Sequence, residues 1–127
     1  MEHDLIISIV DDDESVREAL RGFIRSVGCT ANVFASAEEF LAWSDLRTTD
    51  CLIVDVRMPG MSGLELQRRL LAEHHQIPVI FMTAYLDEDV RARALGNGAV
   101  AFLLKPFSEE ELLTTIKTNV KRKTAGQ

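Results

Sequence analysis

Five short runs of strand-forming residues punctuate the chain: Leu5–Val10, Thr30–Phe34, Asp50–Asp55, Ile77–Met82 and Val100–Leu104. The first, third and fourth are almost continuously apolar and β-branched, the pattern of strands buried on both faces. Thr30–Phe34 is shorter in apolar content, as an edge strand would be. The intervening segments change to helical spacing. In Glu14–Val27, the residues Val16, Ala19, Leu20, Phe23, Ile24 and Val27 form one apolar stripe, and Gly28 is placed to stop that helix. Ser36-Ala-Glu-Glu39, Ser62-Gly-Leu-Glu65 and Ser108-Glu-Glu-Glu111 have the form of capping boxes. They predict helices running to about Trp43 or Leu46, to about His74, and through a last segment that turns Leu112, Leu113, Ile116 and Val120 inward. Asp87–Leu95 reads as a further helix, closed by Gly96-Asn97-Gly98. Lys117, Lys121, Arg122 and Lys123 suit the negative end of the last helix dipole, and Thr124–Gln127 reads as a frayed polar tail. Strand and helix alternate five times, which predicts an α/β fold: a doubly wound five-stranded parallel sheet of order 2-1-3-4-5.

Composition narrows the function classes. A chain of 127 residues suits one domain, large enough to bury about two-thirds of its unfolded surface. The net charge of -6 argues against this segment gripping a nucleic acid backbone or an anionic membrane. Cys29 and Cys51 have neither a paired framework nor metal-ligand spacing, so reduced thiols in a cytoplasmic protein are expected. The N-terminus lacks a basic segment, and the apolar run behind it is too short for a leader or a membrane span.

The chemistry collects at strand ends. In open α/β sheets, ligands bind outside the carboxyl ends of the strands. The third run carries one acid, Asp55, at that end, and Met58-Pro59-Gly60 then forces a turn. The first run is followed by Asp11 and Asp12, the fourth by Thr83 and the fifth by Lys105. In the chosen strand order these ends are neighbours. Clustered carboxylates stay ionised together around a hard cation, and Mg²⁺ favours oxygen ligands of this kind. A hydroxyl and an ammonium are useful against phosphoryl oxygens. Asp55 would then be a nucleophile forming an aspartyl phosphate. Each residue has a plainer reading when taken alone. Asp11–Asp13 suit a helix N-terminus, and Asp13 is assigned to that role only. Asp55 can form a turn, Thr83 can be a strand residue and Lys105 a solvated lysine. These readings fail jointly because all the residues fall at one edge of one sheet. His3, His74 and His75 show no metal spacing and read as surface residues, and Trp43 reads as a core or rim residue of the second helix.

Val10-Asp-Asp12, Val54-Asp-Val-Arg-Met-Pro-Gly-Met-Ser-Gly63, Met82-Thr-Ala84 and Leu104-Lys-Pro-Phe107 together resemble the receiver domain of two-component response regulators, over about Leu5 to Val120. The wording of the second motif and Ser36-Ala-Glu-Glu-Phe-Leu41 is most similar to FixJ/NarL-like receivers. The resemblance implies a flavodoxin-like (CheY-like) fold, with a receiver domain over 1–123 and a tail or linker start over 124–127. It implies Asp55 as phosphoryl acceptor and Mg²⁺ held by Asp12, Asp55 and the backbone carbonyl of Arg57, with Asp11 assisting through water. Thr83 and Lys105 would bind the phosphoryl group. Ala84 would leave it accessible, and Arg57 and Tyr85 would tune its lifetime. Phe102 occupies the place of a switching aromatic, where a static core role is a rival reading. A cis bond is expected between Lys105 and Pro106.

The resemblance further implies a phosphorylation-activated signalling switch. Its partner would be a sensor histidine kinase or phosphotransfer protein. Its output would be transcriptional, through a homodimer or effector at the surface of helix 4, strand 5 and helix 5. Two other functions compete. A phosphatase or phosphotransferase acting on a small molecule usually needs a second acid two residues after the nucleophile, where this chain has Arg57, and no inserted cap is present to form a substrate pocket. A receiver that only binds is disfavoured by the intact set of Asp11, Asp12, Asp55, Thr83 and Lys105.

Overall fold

The computed structural model describes residues 4–120. Its elements run β1 (Ile6–Val10), α1 (Glu14–Ser26), β2 (Thr30–Phe34), α2 (Ala37–Ala42), a 3₁₀ turn (Leu46–Thr48), β3 (Cys51–Asp55), α3 (Gly63–Ala72), β4 (Val79–Thr83), α4 (Glu88–Gly96), β5 (Ala101–Leu104) and α5 (Glu109–Asn119). All strand pairs are parallel and the order is β2-β1-β3-β4-β5, as the alternation predicted. The expectations for Lys121, Arg122, Lys123, the 124–127 tail and His3 lie outside the described residues.

Period-two alternation divides the central strands between two cores. Leu52 and Val54 face one side, with Phe40, Leu66 and Phe81. Cys51 and Ile53 face the other, with Leu20, Ile24, Leu112 and Ile116. Every residue of β3 and β4 is buried, which accounts for their unbroken apolar runs. β2 is an edge strand and only partly buried, as its polarity suggested.

The ends of several elements differ from expectation, for local reasons. β4 starts at Val79 rather than Ile77 because Pro78 has no N–H to give the ladder, although its carbonyl accepts from Leu52 N at 2.9 Å. Asp50 precedes β3, and its side chain accepts from Ile6 N at 2.7 Å. α3 ends at Ala72. His74 takes a left-handed φ of 63°, and His75 N returns to Leu70 O at 2.9 Å. His75 is only half-exposed and lies 3.6 Å from Glu73, so of the two described histidines the surface reading holds for His74. Ala19 is exposed although it belongs to the predicted stripe of α1. Trp43 is half-buried and packs on Phe34 and Phe40, a rim position.

The three Ser caps form as predicted, each accepting from the backbone N–H three residues on. Only the box at Ser62 is reciprocal, with Glu65 accepting from Ser62 N. At α2, the Glu39 carboxylate reaches one residue further back, to Ala35 N at 2.9 Å. These caps fix where α2, α3 and α5 begin, and so where the loops above the sheet end.

Candidate functional site

The parallel register brings the carboxyl ends of four neighbouring strands level. Val10 pairs with Val54, Asp55 with Met82, and Thr83 with Leu104. Asp11 therefore leaves β1 beside Asp55, the last residue of β3. Thr83 ends β4, and Lys105 follows β5, with its N–H donating to Thr83 O at 2.7 Å. One carboxylate oxygen from each of Asp11, Asp12 and Asp55 lies within 4.8 Å of the others. Asp11 and Thr83 are almost fully buried, Asp55 is 9% exposed, and Asp12 faces solvent. Lys105 Nζ stands 3.1 Å from Asp11 Oδ2 and 3.6 Å from Asp55 Oδ1.

Local bonding separates the three consecutive acids. Asp13 caps α1, its Oδ1 accepting from Ser15 N at 2.9 Å and from Ser15 Oγ at 2.7 Å. That is the role assigned to it from the sequence. Asp11 Oδ1 accepts from Asp13 N at 2.9 Å, and the Asp11 carbonyl accepts from Arg17 Nη1 at 2.8 Å. The acid nearest the strand is thus oriented by its own loop and by α1. Arg17 carried no signal in the sequence, where it is one charged residue on a helical face.

The electrostatics are those of a site short of positive charge. Burial pushes the Asp55 carboxyl up to about 6; the charges of Asp11 and Asp12 add to the rise and Lys105 opposes it. For Lys105, burial acts downward, but its hydrogen bond to Asp11 and the charges of Asp11 and Asp55 outweigh it and hold the ammonium above its usual range. One lysine facing three carboxylates leaves the cluster under-compensated. An all-oxygen donor set of this size and charge fits a hard divalent cation. Cys51 contributes no competing soft ligand: it is fully buried, and burial pushes its thiol up.

Other predicted residues lie around this centre. Thr83 Oγ1 donates to Tyr85 O at 3.1 Å and accepts from Tyr85 N at 3.2 Å, so its hydroxyl is held by the following loop. Ala84 is exposed. The Arg57 guanidinium lies 5.8 Å from the centroid of the exposed Tyr85 ring. Arg57 and Tyr85 therefore lie against each other, which their separation in sequence did not reveal. Phe102 is half-buried and packs against Phe81, ring centroids 6.2 Å apart, on the core side of β4 and β5. The Lys105–Pro106 bond is cis, as expected.

Gly63, the first residue of α3, belongs to the capping box and closes the Val54–Gly63 motif, neither of which shows why glycine is needed there. A Cβ there would press on the Asp55 carbonyl oxygen and stand 3.1 Å from the Phe81 ring. The bare backbone lets α3 start directly against the end of β3.

The family model described as "Response regulator receiver domain" matches residues 7–117. The chain belongs to that family. Among relatives of this receiver, the response regulator protein TmoT of Ectopseudomonas mendocina is 46% identical over 116 residues, which are 91% of this chain and 53% of that protein. The transcriptional regulatory protein TdiR of Thauera aromatica is 37% identical over 110 residues, 87% of this chain and 48% of that protein. The receiver thus spans about half the length of these curated relatives. The crystal structure of FixJ-N superposes with a TM-score of 0.82 at 38% identity, covering 92% of this chain and 93% of that one. Among the described residues, no helix is long and apolar enough to cross a membrane.

Proposed function

We propose that this receiver is a phosphorylation-controlled switch in which Asp55 accepts a phosphoryl group from the phosphohistidine of a sensor kinase or phosphotransfer protein. The observation that carries the reading is the convergence of Asp11, Asp12, Asp55 and Lys105 at one sheet edge, with Lys105 Nζ within 3.6 Å of two of the acids. A carboxylate oxygen of Asp55 attacks phosphorus, the bond from phosphorus to the histidine nitrogen breaks, and imidazole leaves. Such transfer depends mainly on positioning and charge neutralisation.

Asp12, Asp55 and the Arg57 carbonyl would hold Mg²⁺, with Asp11 acting through water. When bound, Mg²⁺ supplies the positive charge that the carboxylates and the phosphoryl oxygens need. Lys105 pairs with a phosphoryl oxygen. Thr83 exchanges its bonds to Tyr85 for one to the phosphoryl group, and Ala84 leaves the approach open. Phe102 then follows into the space that Thr83 vacates. Arg57, two residues after Asp55, offers no second acid for a hydrolytic turnover step, which favours a self-modifying switch over an enzyme acting on small molecules.

The output surface is α4, β5 and α5. Four of the five exposed large hydrophobic side chains among the described residues, Tyr85, Leu86, Leu95 and Leu104, belong to α4, its approach or β5. This suits a homodimer or effector contact. A transcriptional role follows the relative named a transcriptional regulatory protein, with DNA contacts made outside this acidic segment. A cytoplasmic location agrees with buried, unpaired Cys29 and Cys51.

The test is intact mass after incubation with Mg²⁺ and acetyl phosphate, with D55N alongside. A hydroxylamine-labile adduct on the wild type only is the expected result. Equal labelling of D55N would remove Asp55 as acceptor.

A further inference from the structure

We infer that Glu38 is a positioning residue for the phosphoryl site: from α2 its carboxylate holds the tip of the loop that carries the Arg57 carbonyl. This rests on the reading of Asp55 as a metal-assisted phosphoryl acceptor.

The loop leaves β3 at Val56 and re-enters structure at Gly63, where Gly63 N donates to Val56 O at 3.0 Å and closes its base. Met58 is buried in the core that also contains Ala37 and Phe40 of α2, and Met61 packs against the same core. At the tip, Met61 N donates to Glu38 Oε2 at 3.1 Å, across 23 residues of sequence. Glycine at position 60 makes room for that oxygen, since a Cβ there would lie 2.9 Å from it. The adjacent acid has a different task. Ser36 and Glu39 serve the N-terminus of α2 and Ala35 N, which leaves Glu38 to reach across to the loop.

A carboxylate accepting from a backbone N–H makes one of the stronger hydrogen bonds. Groups behind a metal ligand set its orientation, and their loss weakens metal binding without removing any ligand. Arg57 lies between the buried Met58 and the end of β3, so the position of its carbonyl depends on how firmly the loop is held from both sides. Glu38 supplies the side that α2 can reach. Its own exposure to solvent means that its replacement leaves no buried cavity.

The experiment compares E38A and E38Q with wild type in the full chain, by amide hydrogen exchange at Met61 and by calorimetric Mg²⁺ binding, with acetyl phosphate labelling as a third readout. In E38A the Met61 amide exchanges about tenfold faster and the Mg²⁺ Kd rises about three- to tenfold, the scale of one net hydrogen bond. E38Q keeps an acceptor oxygen, neutral and therefore weaker, and falls between wild type and E38A in both readouts. Wild-type Mg²⁺ affinity in E38A would overturn the inference. So would equal weakening in E38A and E38Q, which would assign the effect to charge alone. A wild-type protein that neither binds Mg²⁺ nor takes a phosphoryl group would instead overturn the functional reading, and this inference with it.

Discussion

The ammonium of Lys105 stands closer to Asp11, 3.1 Å away and hydrogen-bonded, than to Asp55 at 3.6 Å. The lysine is held mainly by Asp11, within reach of the proposed acceptor Asp55 without being committed to it. Removing the cation leaves Asp55 with burial and two acidic neighbours. In K105M the Asp55 carboxyl should therefore titrate above the wild-type value of about 6 in metal-free protein, as read by carboxyl NMR. Labelling by acetyl phosphate should persist, while association driven by modification should be lost. Normal association would remove Lys105 from the switch.

Asp55 is a stability liability as well as the proposed acceptor. Its folded-state value lies above 3.8, so its contribution is fully present below that pH and is lost as pH rises through about 6. A rise of this size corresponds to up to about 3 kcal/mol, which partial solvation reduces to about 1–2 kcal/mol. D55N should therefore be more stable than wild type in metal-free urea unfolding at pH 7.5. The gap should close by about pH 4. Added Mg²⁺ should also narrow it, because binding to the folded wild type stabilises it by mass action.

Gly63 lies where α3 meets the end of β3. G63A would force its Cβ against backbone at Asp55 and against the Phe81 ring, neither of which can swing aside like the end of a flexible side chain. A loss of about 2–3 kcal/mol in urea unfolding is expected. Slower labelling of Asp55 should accompany it, because the backbone that gives way belongs to the proposed acceptor. An unchanged midpoint would mean that the helix start can slide without cost.

Arg57 and Tyr85 should act together on phosphoryl lifetime. Their contact is exposed, worth about 0.5–1 kcal/mol. Y85A should shorten the half-life of the adduct about two- to fivefold by opening the route for water. In the double variant R57A/Y85A, the two effects should fall short of their sum. Full additivity would show that each residue acts alone.

Much of the fold was legible because its cause is local. Two-face burial leaves unbroken apolar strands, one-face burial leaves a helical stripe, and the Ser caps bond to amides only three residues away. The order of strands followed from handedness and alternation, and that order is enough to bring Asp11, Asp55, Thr83 and Lys105 to one edge. The errors at element ends were local too: Pro78 delayed β4, and a left-handed His74 ended the turn after α3.

The tertiary structure alone decided how the site is wired. Periodicity carries no information about which carboxylate Lys105 prefers, 94 residues away from Asp11. The capping box assigns Glu39 to the start of its own helix, but no pattern shows that its neighbour Glu38 holds the loop after Asp55. Nor could periodicity show that Gly63 meets the Asp55 carbonyl, or that Arg57 lies over Tyr85. Patterns along a chain record burial, which is a property of each position. Hydrogen bonds and ion pairs between distant segments depend on distances of a few tenths of an ångström, and these exist only once the sheet has closed and its helices have packed.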